Sequence, residues 1–209
     1  MEEQIMNMPA VALRGLTILP GMIAHFDISR ERSLRAVEEA MEQDQKIYLV
    51  TQRNVDSEDP TQEDLYQMGI VADIKQVVRL QNDVVRILVD GISRAALLGF
   101  TGNEKYLEAE ICYCDSNADS LPEDLREAML LGVREAFHRY AAVVGKISKE
   151  LIRQIDQYED LEKLIDYVTN NLPVSYELKQ QVLEAEDIND RYQVIVSLLL
   201  SQVEVISIK

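Results

Sequence analysis

The strongest constraint on the fold of this chain is the run from residue 69 to residue 98, where apolar residues recur at every second position. In its first half the apolar residues share one face and charged residues the other, which is the period of a half-buried β-strand. The triplet Gln81-Asn82-Asp83 predicts a turn, because Asn and Asp tolerate left-handed backbone. A second alternating segment follows, interrupted at Gly91, where a bulge would bend the strand. The run predicts a long, bent antiparallel hairpin.

The rest of residues 1–117 predicts a β-rich N-terminal lobe. Pro20-Gly21 is a turn signal between two apolar segments, so a second hairpin is expected there. Ser29 is placed to cap a single helix that should end near Asp44. Short apolar or alternating segments predict the remaining strands at residues 9–13, 16–19, 22–28, 47–51 and 106–114.

Residues 118–209 predict a C-terminal α-helical bundle, which makes the fold class α+β. A polar stretch before Pro122 marks the boundary, and Ser120 with Glu123 matches a capping box for a long helix that stops at Gly145. Ser148 and Ser175 predict caps of later helices. The fifth helix stays apolar up to Lys209 with no stop signal. A chain cut from something longer and a frayed natural terminus both explain that ending.

The net charge of the chain disfavours nucleic acid and anionic membranes as binding partners. The chain has 21 Lys plus Arg against 37 Asp plus Glu, a net charge of −16, so a phosphate backbone or an anionic membrane is repelled on average. Nucleic acid is therefore not expected as the primary partner. We find neither the order of residues typical of a signal peptide nor an apolar run near the ~20 residues that span a bilayer. The sequence predicts a cytoplasmic protein without a membrane partner.

No residue pattern predicts a catalytic, cofactor or metal site. Cys112 and Cys114 are two apart, which favours reduced thiols over half of a zinc site. His25 and Asp27 share a strand face, but no Ser or Cys nucleophile is tied to them by spacing. The acidic loop at residues 56–64 lacks the Gly and the spacing of a calcium loop. His138 is expected to be an ordinary, partly exposed helix residue.

Three stretches, in order, resemble the N-terminal domain of the ATP-dependent Lon proteases. They are PAVALRGLTILPGMIAHFDISRERS near the start, GIVADIKQ followed by VRILVDGISRA in the centre, and NLPVSYELKQQVLEAEDINDRYQVIVSLL near the end. The resemblance covers nearly the whole chain. Two departures concern turn geometry: Ala12 stands where the family usually has proline, and the central turn lacks the common Gly.

The resemblance implies a β-rich lobe joined to a helical lobe that recognises unfolded, damaged or tagged proteins in protein quality control. It also implies a role in assembly of the hexamer with other Lon subunits. The ATPase, with its ATP and Mg, and the Ser-Lys protease are expected beyond Lys209. In agreement, the sole GK pair, Gly145-Lys146, has Tyr140 where a P-loop needs Gly, and no G-x-S-x-G motif occurs. The chain alone is expected to be no enzyme and to bind no cofactor.

A receptor for unfolded proteins needs exposed apolar surface. The candidate substrate-binding residues surround the tight turn at Gly21: they are Leu19, Pro20, Met22 and Ile23. The alternative is that these residues pack inside, between the two lobes. Two other functions stay open: an assembly module of the hexamer, and an independent adaptor that carries a Lon-like domain without a protease.

Overall fold

The computed structural model describes residues 5–208, which form two compact units divided between Cys114 and Asp115. The first unit holds six strands and one helix, and the second holds five helices. The predicted α+β class, with a β-rich part before a helical part, is therefore confirmed.

The strands of the first unit form a sheet that curls into a ring. The order is β2-β5-β4-β3-β1-β6, and the second half of β5 also pairs with β6, so the last five strands close and β2 is added to the first half of β5. β1 and β3 run parallel, and the other pairings of the described strands are antiparallel. The elements are β1 (Ile5–Leu13), β2 (Ile23–Ile28), α1 (Glu31–Glu42), β3 (Lys46–Thr51), β4 (Met68–Arg79), β5 (Val85–Phe100) and β6 (Glu108–Tyr113).

The ring closes because the β4–β5 hairpin is bent at two bulges. Val71 pairs with Ser93 and Ala72 with Gly91, which leaves Ile92 as an extra residue in β5. At the second bulge, Ile74 pairs with Val89 and Gln76 with Leu88, which leaves Lys75 as an extra residue in β4. A bulge kinks its strand and increases the local twist. The bends let the two halves of β5 face different partners, β2 and β6.

Two apolar clusters stabilise this unit, one on each face of the sheet. The cluster inside the ring draws on all five ring strands and includes Tyr48, whose buried hydroxyl donates to the carbonyl oxygen of Ala95 at 2.9 Å. The cluster on the outer face lies under α1 and includes Ile18, Val37 and Ile87. Burial on both faces explains why β3 and the second half of β1 are nearly continuous apolar runs.

Two local predictions for this unit are wrong. β1 and β2 form no hairpin, because β1 pairs with β3 and β6 while β2 pairs with β5. The segment between them is apolar because Ile18 and Leu19 enter the core from a loop. Ser29 does not cap α1; the N-cap residue is Arg30, which makes no side-chain capping hydrogen bond.

The helices of the second unit follow the predicted punctuation closely. Ser148 and Ser175 cap α3 and α5 by accepting from the amides of Leu151 and Leu178, and Gly145 ends α2 at a φ of 71°. The predicted capping box at Ser120 is wrong, because the helix begins three residues later and follows Pro122. The helices are α2 (Glu123–Val144), α3 (Lys149–Gln157), α4 (Leu161–Asn170), α5 (Tyr176–Glu184) and α6 (Ile188–Ile208).

The last helix, α6, bears on the expectation that no apolar segment approaches the length needed to span a bilayer. It has 21 residues, and an 18-residue stretch of it has a mean hydropathy of 1.3, so it is long and apolar enough to cross a membrane by length and composition alone. Ile195 and Leu199 of α6 are fully buried in the helical unit, although only 22% of the apolar stretch is buried. The first turn also carries the buried Arg191, whose guanidinium pairs with Glu162 of α4 at 3.2 Å.

Candidate substrate-binding surface

The turn at Gly21 is fastened to β5 by backbone hydrogen bonds. Gly21 has a φ of 80°, a left-handed conformation that glycine adopts without steric cost. The N–H of Gly21 donates to the carbonyl oxygen of Gly91 at 2.8 Å. In return, the N–H of Gly91 donates to the carbonyl oxygen of Met22 at 2.9 Å. Within the turn, the N–H of Met22 donates to the carbonyl oxygen of Leu19 at 3.1 Å. The turn is therefore held by the sheet.

The predicted site residues have different degrees of exposure. Leu19 is fully buried, so the expectation that its side chain is accessible is wrong. Pro20 and Met22 are half-buried, and Met22 packs against the outer core cluster. Ile23 begins β2 and is 68% exposed, because strand alternation directs Ala24 inward and Ile23 outward.

The structure adds a residue that the sequence did not indicate. Ile92, the extra residue of the β5 bulge, is 42% exposed and directly follows Gly91, which is hydrogen-bonded to the turn. The break in alternation at Gly91 was the available signal, but it does not say which residue is left over. We call Pro20, Met22, Ile23 and Ile92 the turn patch. It is an apolar surface on backbone that the sheet fixes in place.

A second apolar region lies at the tip of the β4–β5 hairpin. Asn82 and Asp83 both have positive φ, 61° and 59°, which confirms the predicted turn. Val77 and Leu80 beside it are partly exposed. A cavity of about 170 Å³ between the tip and α1 is lined mainly by Leu34, Val37, Val77, Leu80, Val84 and Val85. This region has apolar surface, but unlike the turn patch its residues border a helix that already covers part of it.

The sequence and the fold of this chain match one known family. The model of the ATP-dependent protease La (LON) substrate-binding domain matches residues 7–201. This chain belongs to the Lon substrate-binding domain family. The Lon protease of Lachnoclostridium phytofermentans is 35% identical over 209 residues, which is 100% of this chain and 26% of that protein. Lon protease 1 of Bacillus subtilis is 30% identical over 208 residues, or 100% of this chain and 27% of the relative.

Solved structures share the fold. The N-terminal domain of the Mycobacterium avium complex Lon protease has a TM-score of 0.75 at 18% identity and covers 93% of this chain and 98% of that one. The N-terminal domain protein from Xanthomonas campestris has a TM-score of 0.62 at 12% identity, with coverage of 92% and 98%. This Lon domain spans about a quarter of the length of the curated relatives it matches.

The structure also shows the surroundings of the His, Asp and Cys residues that the sequence analysis considered for chemistry. Asp27 pairs with Arg86 and not with His25; two hydrogen bonds, at 2.8 and 3.2 Å, hold its carboxylate. The hydrogen bond from Arg86 lowers the pKa of Asp27 below its usual value. Cys112 and Cys114 are free thiols, and residues 5–208 contain no group of three potential metal ligands.

Proposed function

We propose that this Lon domain binds unfolded or damaged protein through the turn patch and so selects the substrates of a Lon-type protease. The observation that supports the proposal is the exposure of Ile23, at 68%, beside Ile92 on a turn fixed to β5. Accessible apolar side chains distinguish unfolded chains from folded proteins, so their receptor needs apolar surface of its own. The family's description as a substrate-binding domain supports the same function.

The size of the patch fits weak, unselective binding. Burial of one large aliphatic side chain contributes about 1.5 to 3 kcal/mol. The turn patch offers about two thirds of the surface of Ile23, less than half of that of Ile92, and parts of Pro20 and Met22. After the cost of ordering a flexible client is subtracted, several such contacts give an affinity on the order of micromolar. The thioether of Met22 adapts to side chains of different shape.

The remaining functions of the protease are proposed to lie outside these 209 residues. The relatives are about four times as long, which leaves room for an ATPase that binds ATP and Mg and for a Ser-Lys protease. In this proposal the chain itself catalyses nothing and delivers clients to those parts in the cytoplasm of a bacterium. Client proteins and other Lon subunits are its partners, and the net charge of −16 disfavours nucleic acid.

A binding measurement on one protein in two states tests the proposal. Ribonuclease A, reduced and carboxamidomethylated, stays unfolded without gaining charge, and native ribonuclease A is the matched control. Fluorescence anisotropy with the 209-residue chain should give micromolar binding of the unfolded form and binding at least ~10-fold weaker of the native form. Equal affinity for the two forms would contradict the proposal.

The end of α6 favours a second candidate function, assembly with other Lon subunits. Val205 and Ile208 are exposed there, on a helix that is apolar over most of its length. Sedimentation over a range of concentrations measures self-association of the chain. Association that disappears in Val205→Ser would support this function, and a monomer at all concentrations would count against it for these residues.

A further inference from the structure

The strand β2 ends the sheet and has one side without a partner strand. In the order of the described strands it lies first, and among them it pairs with the first half of β5 alone. A strand forms hydrogen bonds on two sides, and the backbone groups of successive residues face those sides alternately. Half of the backbone N–H and C=O groups of β2 therefore point away from β5.

The register identifies the groups that face β5. The N–H of Gly91 donates to the carbonyl oxygen of Met22 at 2.9 Å, just before β2 begins. From there the two strands pair without a shift over the whole length of β2. In such a ladder every second residue exchanges its backbone hydrogen bonds with the same neighbour. The residues of β2 that bond to β5 are therefore Ala24, Phe26 and Ile28.

The alternate residues, Ile23, His25 and Asp27, present their backbone N–H and C=O groups to the other side, which we call the free edge. Within residues 5–208 these groups make no hydrogen bond to the backbone or to a side chain. Asp27 lies directly opposite Arg86, and their side chains form an ion pair. Side chains approach most closely at residue pairs that exchange no backbone bonds, which agrees with this assignment.

The free edge is exposed at its start and borders a cavity at its end. Ile23, the first residue, is 68% exposed. Phe26, Asp27 and Ile28 line a cavity of about 180 Å³, and Leu13 of β1 also lines it. Space for another segment of polypeptide is therefore present beside β2.

β2 lacks the features that usually protect an edge strand. Natural edge strands carry lysine, proline or a bulge that stops another chain from pairing. β2 has the sequence IAHFDI, without lysine or proline, and its pairing with β5 contains no bulge. Its one carboxylate, on Asp27, is paired with Arg86. A polypeptide in extended conformation can therefore add to this edge.

We infer that the free edge binds an extended segment of an unfolded client, which adds to the sheet as a further strand. The inference rests on the proposed function and names how the client is held. Main-chain hydrogen bonds to an edge strand require an extended backbone but no particular side chain. An unfolded protein supplies such a backbone, whereas the backbone groups of a folded protein are already paired. The added segment lies beside Ile23, so it also reaches the turn patch.

Charge favours a client over a second copy of this chain. Two copies paired through β2 would each bring a net charge of −16, and like charges repel. A client segment with basic residues is attracted instead. Sedimentation separates the two occupants. A chain that stays monomeric while it binds a peptide supports the client, and a dimer that is lost in His25→Pro would overturn the inference.

A peptide with a blocked backbone tests the inference. The fluorescently labelled peptide KTVTVTVTK alternates polar and apolar residues and carries positive charge. A second peptide of the same sequence has N-methyl groups on the central valine and on the threonine after it. These groups remove one donor from each edge of the peptide strand and take away no apolar surface. In anisotropy measurements the methylated peptide should bind about tenfold more weakly or worse, and equal binding of the two would overturn the inference.

His25→Pro blocks the edge from the side of the protein. It removes an outward N–H and leaves the bonds to β5 in place, since edge strands tolerate proline where the N–H faces solvent. His25→Thr is the matched control, because it removes the same side chain and keeps the N–H. The affinity for unmethylated KTVTVTVTK should fall about tenfold in His25→Pro and stay unchanged in His25→Thr. An equal loss in both variants would overturn the inference.

Amide hydrogen exchange gives an equivalent test without a substitution, which serves if His25→Pro does not fold. In the free chain the amides of residues 23, 25 and 27 should exchange rapidly, and those of residues 24, 26 and 28 slowly, because only the second set bonds to β5. Saturation with KTVTVTVTK should slow the first set about tenfold or more. Unchanged exchange of these amides with the peptide bound would overturn the inference.

Unfolded ribonuclease A separates this inference from the proposed function. Binding that Ile23→Ser weakens and His25→Pro does not, together with equal binding of the two peptides, would overturn strand addition and leave the turn patch as the receptor. Peptide binding that depends on the peptide N–H groups, without any binding of unfolded ribonuclease, would support the free edge and contradict the proposed function.

Discussion

The carbonyl oxygen of Leu19 lies where a side chain on Gly91 would begin: a Cβ at Gly91 would be 2.4 Å from it. The turn therefore approaches β5 so closely that only glycine fits. Gly91→Ala should push the turn away, lower the free energy of unfolding by about 1 to 3 kcal/mol and weaken the binding of unfolded ribonuclease. Urea denaturation and anisotropy measure the two effects.

Gly99→Ala is the control for this prediction. It lies on the same strand, where a Cβ would have only ordinary contact, 3.6 Å from a side-chain oxygen of Gln62. It should be close to neutral in both measurements. Equal effects of the two substitutions would show that loss of glycine in β5, and not contact with Leu19, causes the change.

Ile23→Ser should weaken binding without unfolding the chain. The side chain is 68% exposed, so its replacement should change the free energy of unfolding by no more than about 0.5 kcal/mol. The loss of one buried aliphatic contact with the client should lower the affinity for unfolded ribonuclease about tenfold or more. Leu98→Ser, at an exposed position on β5 outside the turn patch, should leave that affinity unchanged. A similar loss in both variants would contradict a localised site.

Arg86→Gln should raise the pKa of Asp27 toward the ordinary value of about 3.9. The hydrogen bond from Arg86 holds that pKa down in the folded chain. A carboxyl group with a lowered folded pKa stabilises the fold above its unfolded pKa, and this contribution is lost as the pH falls through the folded value. The acid side of the stability curve, below about pH 4, should therefore become less steep in Arg86→Gln.

NMR titration of the side-chain carboxyl carbon of Asp27 measures this pKa directly. Lys75→Gln removes an exposed cation from β4 that makes no described hydrogen bond to Asp27, and it should leave the titration where it is. An unchanged Asp27 titration in Arg86→Gln would show that the ion pair does not form in solution.

The parts of the fold that local patterns determine could be predicted from the sequence. Alternation and two turn residues gave the β4–β5 hairpin, and Ser148, Ser175 and Gly145 gave helix ends, because each of these signals acts within a few residues. The pairing of β1 with β3 and β6 could not be predicted in this way. It depends on partners about 40 and 100 residues away and on a bulge that redirects β5.

In the candidate site, too, local patterns predict some residues and not others. Ile23 could be predicted, because alternation along β2 decides which side chains point outward. Leu19 could not, since an apolar residue in a turn has no period that separates core from surface. Ile92 became part of the patch through a shift in register.

Arg191→Ala should be among the most destabilising substitutions in the helical unit. The guanidinium is 2% exposed and donates to the carbonyl oxygens of Ala185 and Glu186, at 3.0 and 2.9 Å, as well as to Glu162. These oxygens follow the end of α5, so the arginine joins that end to α6 and α4. Its removal takes the donor from two carbonyl oxygens of partly exposed residues and deletes a buried side chain, for which we expect a loss of about 2 to 4 kcal/mol in urea denaturation. Glu162→Ala removes only the partly exposed partner and should cost no more than about 1 kcal/mol. Equal losses would mean that the ion pair, and not the bonds to the end of α5, makes Arg191 important.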